Sequence, residues 1–242
     1  MSYFSLVRVR SELPEAQRWL GRLSRTGTAY RDHCIVWKLF SAQEDGEQPE
    51  GKKRTFLYRR REQGRELSFY VLSQDRPHPR ESFFDVQTKR YAPQLNVGDW
   101  VRFELMANPT TTRKYGEAIE DKHGKSRRKS QRHDVLMDAK QKAAAEEKSA
   151  DEKKDAIDEA ALRWLMARAP KWGLAVAEKS VLTNAYTQHR LKSKNRSMAF
   201  SSVEYTGLAE VTDAEALQHA LLEGVGHAKA FGCGLLLVRR TE

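Results

Sequence analysis

The 242-residue chain reads as an α+β protein of two tandem ferredoxin-like domains, each an RRM-like βαββαβ unit, over residues 1–95 and 96–242. Three observations predict this. Hydrophobic periodicity runs strand, helix, two strands in the first half, then strand, helix, two extended segments, helix and strand in the second. The pattern breaks near residues 92–99, close to the midpoint. With 39% hydrophobic residues, the chain can also fill a core in each half.

Tyr3 to Arg10 alternates apolar and polar residues, with Phe4 and Leu6 in one phase and Val7 and Val9 in the other, so it reads as a strand. Residues 13–23 read as a helix with Pro14 near its first turn. Tyr30, His33, Val36, Trp37 and Phe40 recur at spacings of three and four, which lines them along a second helix. Strands return at Thr55 to Arg60 and at Glu66 to Ser73, where Leu67, Phe69 and Val71 share a face, with a turn at Gln63-Gly64 between them. The last helix of this half has no clear signature.

In the second half, Val101, Phe103 and Leu105 alternate with Arg102 and Glu104 until Asn108-Pro109 ends the strand. A helix fits residues 159–168, stopped by Pro170. Ala199 to Val211 is extended, Asp213 is placed to cap a helix over residues 214–222, and Gly234 opens a last strand to Arg239. Residues 138–155 mix five bases with six acids among alanines and read as an exposed helix or linker inserted in the second domain.

Charge narrows the function. Lysine and arginine number 43 against 33 acids, a formal charge of +10. That excess lies in two segments. Residues 113–133 carry Arg113, Lys114, Lys122, Lys125, Arg127, Arg128, Lys129 and Arg132 against three acids. Residues 179–203 carry five bases and no acid, and four of these, Arg190, Lys192, Lys194 and Arg196, stand at every second position. In an extended strand those four share one face, which must be wet or covered by anions. A concentrated positive surface suits a nucleic-acid backbone, and a pair of solvated basic loops is the plainer alternative. No regular signature of stacking aromatics is visible, so binding on the usual RRM sheet face is not to be assumed.

Other classes are disfavoured. The longest apolar runs, such as Leu235 to Val238, fall far short of the roughly 20 residues that span a bilayer, and no leader follows Met1, so a soluble, cytoplasmic chain without a membrane partner is expected. Two cysteines, Cys34 and Cys233, cannot build a disulfide framework, and the seven histidines show no ligand spacing, so neither metal nor cofactor is expected.

Two segments could carry chemistry. Tyr30 and His33 are one helical turn apart, so a phenol and an imidazole can converge on one atom, with Arg31 beside them. A packed, hydrogen-bonded histidine is the commoner use of this pattern. The second segment, residues 224–234, has Gly224, Gly226, Gly232 and Gly234 with His227 and Lys229 between them. It fits neither a Rossmann fingerprint nor a P-loop, and is left as a tight basic loop that could cradle a phosphate, or as a helix cap and turn.

The glycine-rich loop, Tyr30-x-x-His33, the stretch Arg102 to Thr110 with its Ala-Asn-Pro-Thr end, and the basic run to Arg132-His133-Asp134 together resemble the CasE family of CRISPR-associated repeat-RNA endoribonucleases, over nearly the whole chain. The resemblance implies tandem ferredoxin-like domains and metal-independent cleavage of precursor CRISPR RNA at the base of the repeat hairpin. It implies a protein that is a monomer when free, stays on its hairpin product and joins the other Cascade subunits. The family's catalytic histidine and tyrosine fall on His33 and Tyr30, and a serine used by some relatives falls on Ser41. In such a reaction the RNA 2′-hydroxyl attacks its own phosphorus, needing a base, an acid and positive charge on the phosphoryl oxygens. The 113–132 bases are assigned to duplex phosphates. A non-catalytic RNA-binding module would keep the basic segments and be indifferent to His33.

Overall fold

A computed structural model of the chain describes residues 1–24, 27–40, 56–61, 66–120, 126–193 and 196–241. The first sheet contains β1 (Ser2–Val9), β2 (Phe56–Arg61), β3 (Leu67–Ser73) and β4 (Phe84–Tyr91). They run antiparallel in the order β2-β3-β1-β4, the order of a βαββαβ unit. Two helices, α1 (Pro14–Leu23) and α2 (Thr28–Lys38), lie between β1 and β2 in sequence. They cover one sheet face, where Val7, Val9, Phe69 and Val71 meet Trp19, Ile35 and Trp37.

One element of the expected unit is absent. Among the described residues no helix separates β3 from β4, and residues 74–83 are irregular. Pro77 and Pro79 give the reason, since each removes a backbone donor and steers its predecessor away from helical angles. Phe83 follows and packs on Trp19 at 5.4 Å between ring centroids, filling space a helix would cover.

The second sheet contains β5 (Trp100–Ala107) and, after a separate ribbon of β6 (Thr110–Glu120) and β7 (Ser126–Asp134), the strands β8 (Leu174–Val176), β9 (Leu182–Ser193), β10 (Arg196–Val211) and β11 (Leu236–Arg240). Its order is β11-β5-β10-β8, with β9 also paired to β10. Helices α3 (Val135–Ala145), α4 (Ala150–Met166) and α5 (Ala214–Glu223) pack on it through Leu136, Trp164, Leu165, Leu217 and Leu221. Helix α4 starts at Ala150, earlier than the periodicity of 159–168 predicts, because Ser149 and Glu152 form a reciprocal capping box. The charged segment 138–155 is thus helical on both sides of a short turn. Asp213 caps α5 as expected, accepting from the Ala216 amide at 2.9 Å. No described helix is long and apolar enough to cross a membrane.

The two sheets meet through Leu57, Leu72 and Leu235. Arg59, 7% exposed, bridges the seam from β2 to Glu104 on β5, at 3.3 Å, and to Glu204 on β10.

Candidate active site and nucleic-acid interface

Helix α2 begins after Gly27, whose φ of +80° suits only glycine, and carries Tyr30 and His33 into the seam between the sheets. Their ring centroids are 6.2 Å apart. His33 is 6% exposed, with Trp37, Phe56 and Phe231 around it at 5.9, 6.2 and 6.3 Å. The pairing read from spacing is therefore present, and most of the imidazole's neighbours are aromatic. Beside it Asp32, 5% exposed, faces Arg60 at 3.4 Å and Arg31 at 3.7 Å. Burial pushes the Asp32 carboxyl above its usual range, although both guanidiniums oppose the shift. Arg31 thus has a carboxylate neighbour already. Ser41 lies outside the described residues.

Phe231 comes from the glycine-rich segment, which docks as a turn against α2 and the first sheet. The amides of Gly224, Val225, Phe231 and Gly234 already donate to backbone carbonyls. The Lys229 ammonium donates to the Glu223 and Gly224 carbonyls at 2.7 and 2.8 Å, closing the end of α5. Glycine is needed because the chain comes too close for a side chain. At Gly234, φ is +86° and a Cβ would lie 2.4 Å from the Val225 oxygen; at Gly224, φ is +70° and it would lie 2.6 Å from Leu57. At Gly232 it would lie 3.3 Å from the Tyr58 ring. The turn is fastened to the first sheet by Tyr58, whose hydroxyl donates to Ala230 O at 3.1 Å and lies 3.4 Å from Ala29 O on α2. His227 is exposed, and burial together with Arg132, Lys229 and Arg168 holds its imidazole below the ordinary value. The field of those three cations, far apart in sequence, therefore reaches His227.

The basic run of 113–133 folds as the β6–β7 ribbon. Register pairs Thr112 with Arg132, Lys114 with Ser130, Arg113 with Gln131 and Tyr115 with Lys129. Lys114 and Arg132 therefore occupy one phase, Arg113 and Lys129 the other, and the ribbon is basic on both faces. Arg113 is already held by Asp138 at 2.6 Å. Arg128 follows on β7, Arg127 is placed by its backbone alone, and Lys122 and Lys125 lie outside the described residues. The Asn-Pro-Thr segment anchors the ribbon's base: buried Asn108 donates to Ser201 O at 2.7 Å, and Thr110 O accepts from Trp164 and Arg168 at 3.1 and 2.7 Å. Asp134 closes it, accepting from the Leu136, Met137 and Ser201 amides.

The second basic row is broken. Arg190 and Lys192 share a phase of β9, but Arg196 begins β10 and pairs with Ser193, the opposite phase. A hairpin, not one strand, carries them, so the four bases do not share a face; Lys194 lies outside the described residues. Next to Arg190, His189 stacks on Phe200 at 4.5 Å and shares a 2.8 Å hydrogen bond with Ser202, and burial lowers its pKa. Phe200 in turn stacks on Phe231 at 5.5 Å, so a run of rings connects β9 to His33.

Sequence reasoning missed a second cluster. The outward phases of β1, β3 and β4 bring Phe4, Tyr70 and Tyr91 together, with Phe4 centroids 5.5 Å from both tyrosines. The signal was available, since β1 and β3 are neighbours in any βαββαβ sheet and Phe4 and Tyr70 both fall in the phase opposite the core valines. Among the described residues, no three of His, Cys, Asp and Glu gather as a metal-binding group.

A family model described as "CRISPR associated protein" matches residues 3–240. The chain is 26% identical over 209 residues to the CRISPR system Cascade subunit CasE of Escherichia coli K12, covering 86% of this chain and 89% of that one. It is similar to a Thermus thermophilus Cse3 structure bound to an RNA representing a pre-cleavage complex, with TM-score 0.60, 22% identity and 98% of both chains covered. It is also similar to the CRISPR-associated protein Cas6e from E. coli K-12, with TM-score 0.55, 22% identity and 98% of both chains covered. Likeness at this identity carries the fold, two tandem ferredoxin-like units, and agrees with the strand orders found here.

Proposed function

The chain belongs to the family of CRISPR-associated proteins, and on that premise we propose that it is a metal-independent endoribonuclease that cuts precursor CRISPR RNA at the base of the repeat hairpin. The observation that carries the reading is the docking of the glycine-rich turn on α2, which sets Tyr30 and His33 at the junction of two domains, the second of which carries the chain's excess cations on its ribbon and on residues 179–203. The nucleophile is the RNA's own 2′-hydroxyl. Its oxygen bonds to the adjacent phosphorus as the P–O5′ bond breaks, leaving a 2′,3′-cyclic phosphate upstream and a 5′-hydroxyl downstream. His33 moves a proton at one of the two oxygens, Tyr30 orients or donates, and neighbouring cations stabilise charge on the phosphoryl oxygens. With substrate supplying the nucleophile, these groups suffice without a metal-bound water. Ser41 is retained as a candidate near the scissile phosphate.

The Arg113–Arg132 ribbon and the bases Arg190, Lys192, Lys194 and Arg196 are assigned to stem phosphates, because bases on both faces of a ribbon can meet two phosphate walls. The E. coli relative is a Cascade subunit. By that likeness the protein acts in the cytoplasm, remains on its cleaved hairpin and joins the other subunits. A second reading, a structured-RNA-binding module without catalysis, is favoured by the 6% exposure of His33. One experiment separates them: a labelled repeat hairpin is incubated with the protein in EDTA, with and without a deoxynucleotide just upstream of the cut. Cleavage of the ribo form alone, with equal binding of both, is expected; binding without cleavage supports the module, and cleavage of the deoxy form refutes 2′-hydroxyl attack.

A further inference from the structure

A cleft of about 730 Å³ lies between the outer faces of the two sheets, and Tyr30, His33 and Phe231 are not among its lining residues. One wall is aromatic. Phe4 stacks with Tyr70 and Tyr91 at interplanar angles of 28° and 29°, and the Arg61 guanidinium lies 4.9 Å over the Tyr70 ring. All three rings are partly exposed. Lys89 stands beside Phe4 in register on β4, and on the facing sheet Arg102 and Arg239 are paired across β5 and β11.

The acids of the cleft are already engaged, because Glu104 and Glu204 both pair with Arg59. Among the described residues no carboxylate pairs with Lys89, Arg102 or Arg239, and all three are exposed. Flat apolar faces beside cations ask for a ligand with flat π-faces and regularly spaced anions. An RNA duplex offers phosphates but hides its base faces in the stack; an acidic peptide satisfies the cations but leaves the rings without flat partners. Unpaired nucleotides supply both, and stacking on aromatic platforms tolerates any base.

We propose that this cleft is a second RNA site, which takes unpaired nucleotides flanking the hairpin, with bases on the Phe4–Tyr70–Tyr91 platform and phosphates on Lys89, Arg102 and Arg239. The assignment rests on the reading of the chain as an RNA-processing protein. It differs from the hairpin site in place and in kind, since it reads single strand on the face of the sheets that the helices leave open.

The test compares the full chain on three probes: the repeat hairpin with a blunt stem, the same hairpin with an unpaired uridine extension, and a free oligouridine. The extension is expected to tighten binding by about tenfold, within the range of one or two stacked bases. Lys89→Ala, on an exposed side chain, and Tyr70→Leu, which keeps apolar bulk without a ring, are expected to abolish that gain while the blunt-hairpin Kd stays within about twofold. No gain in the wild type, or a gain kept by both variants, overturns the proposal and leaves the cleft to a protein partner. If the blunt hairpin is neither bound nor cut, the proposed function fails by itself, and binding of oligouridine, lost or kept in Lys89→Ala, still decides the cleft.

Discussion

Replacing Tyr58 with phenylalanine should loosen the seam that holds the glycine-rich turn against α2. Tyr58 is 1% exposed, so its hydroxyl has no water to fall back on. Its single proton goes to Ala230 O at 3.1 Å, and Ala29 O lies near at 3.4 Å, so the oxygen sits between the turn that carries Phe231 and the helix that carries His33. The ring would stay packed against Phe56 and Phe69, which confines the change to the hydroxyl's own hydrogen bonding. Leaving a buried carbonyl short of its donor costs about 1–2 kcal/mol. For a chain of this size that is a fall in Tm of roughly 2–8 °C. If the strain is felt where His33 works, the single-turnover cleavage rate on saturating hairpin drops by up to about tenfold, since 1.4 kcal/mol is a factor of ten. Hairpin Kd should not move. Melting and single-turnover assays of the variant check this; an unchanged Tm with an unchanged rate would refute the fastening role, and a weakened Kd at unchanged rate would make the turn a binding element.

His33→Ala is expected to abolish cleavage and leave hairpin affinity within a few-fold, because the imidazole is assigned to protons; normal cleavage by the folded variant would remove the assignment. Lys129→Ala, Arg132→Ala and Arg190→Ala should each lower the slope of log K against log[salt] by about one unit if the residue meets a phosphate, whereas Arg113→Ala should lower it less, its guanidinium being held by Asp138 at 2.6 Å. Hairpin affinity should also strengthen as pH falls through the imidazole range: burial and neighbouring cations depress His227 in the free protein, a bound phosphate among those cations raises it again, so the complex binds more protons than its parts. His227→Gln should flatten that profile, and a profile as steep as the wild type would place the phosphate elsewhere.

Much of the framework was legible because one-sided burial leaves a period in the sequence. The valines of β1 and the Leu67, Phe69, Val71 set of β3 face a helical layer, and α1 and α2 repeat at three and four. The β6–β7 ribbon left no such trace. Its register sets Arg113 opposite Gln131 and Lys114 opposite Ser130, so neither face carries an apolar repeat and only the charge stood out. The phase of Arg196 was misjudged for a related reason: alternation predicts a common face only while the chain keeps its direction, and β10 returns against β9.

The candidate site was half legible, and the missing half was tertiary. Tyr30 and His33 could be paired from spacing alone, because a helix fixes what lies one turn away. Nothing in the spacing says that Phe231, some two hundred residues later, closes over the imidazole, or that Lys229 spends its charge on the end of α5. Yet the four glycines marked where this would happen. Each of Gly224, Gly232 and Gly234 sits where a Cβ would strike Leu57, Tyr58 or the turn's own backbone. Glycine density there records how closely the turn packs on Leu57, on Tyr58 and on itself. That closeness is what the proposed reaction would need: the proton-transfer pair assigned to α2 lies in the first half of the chain, the ring that covers it comes from the turn in the second, and neither half would hold both by itself.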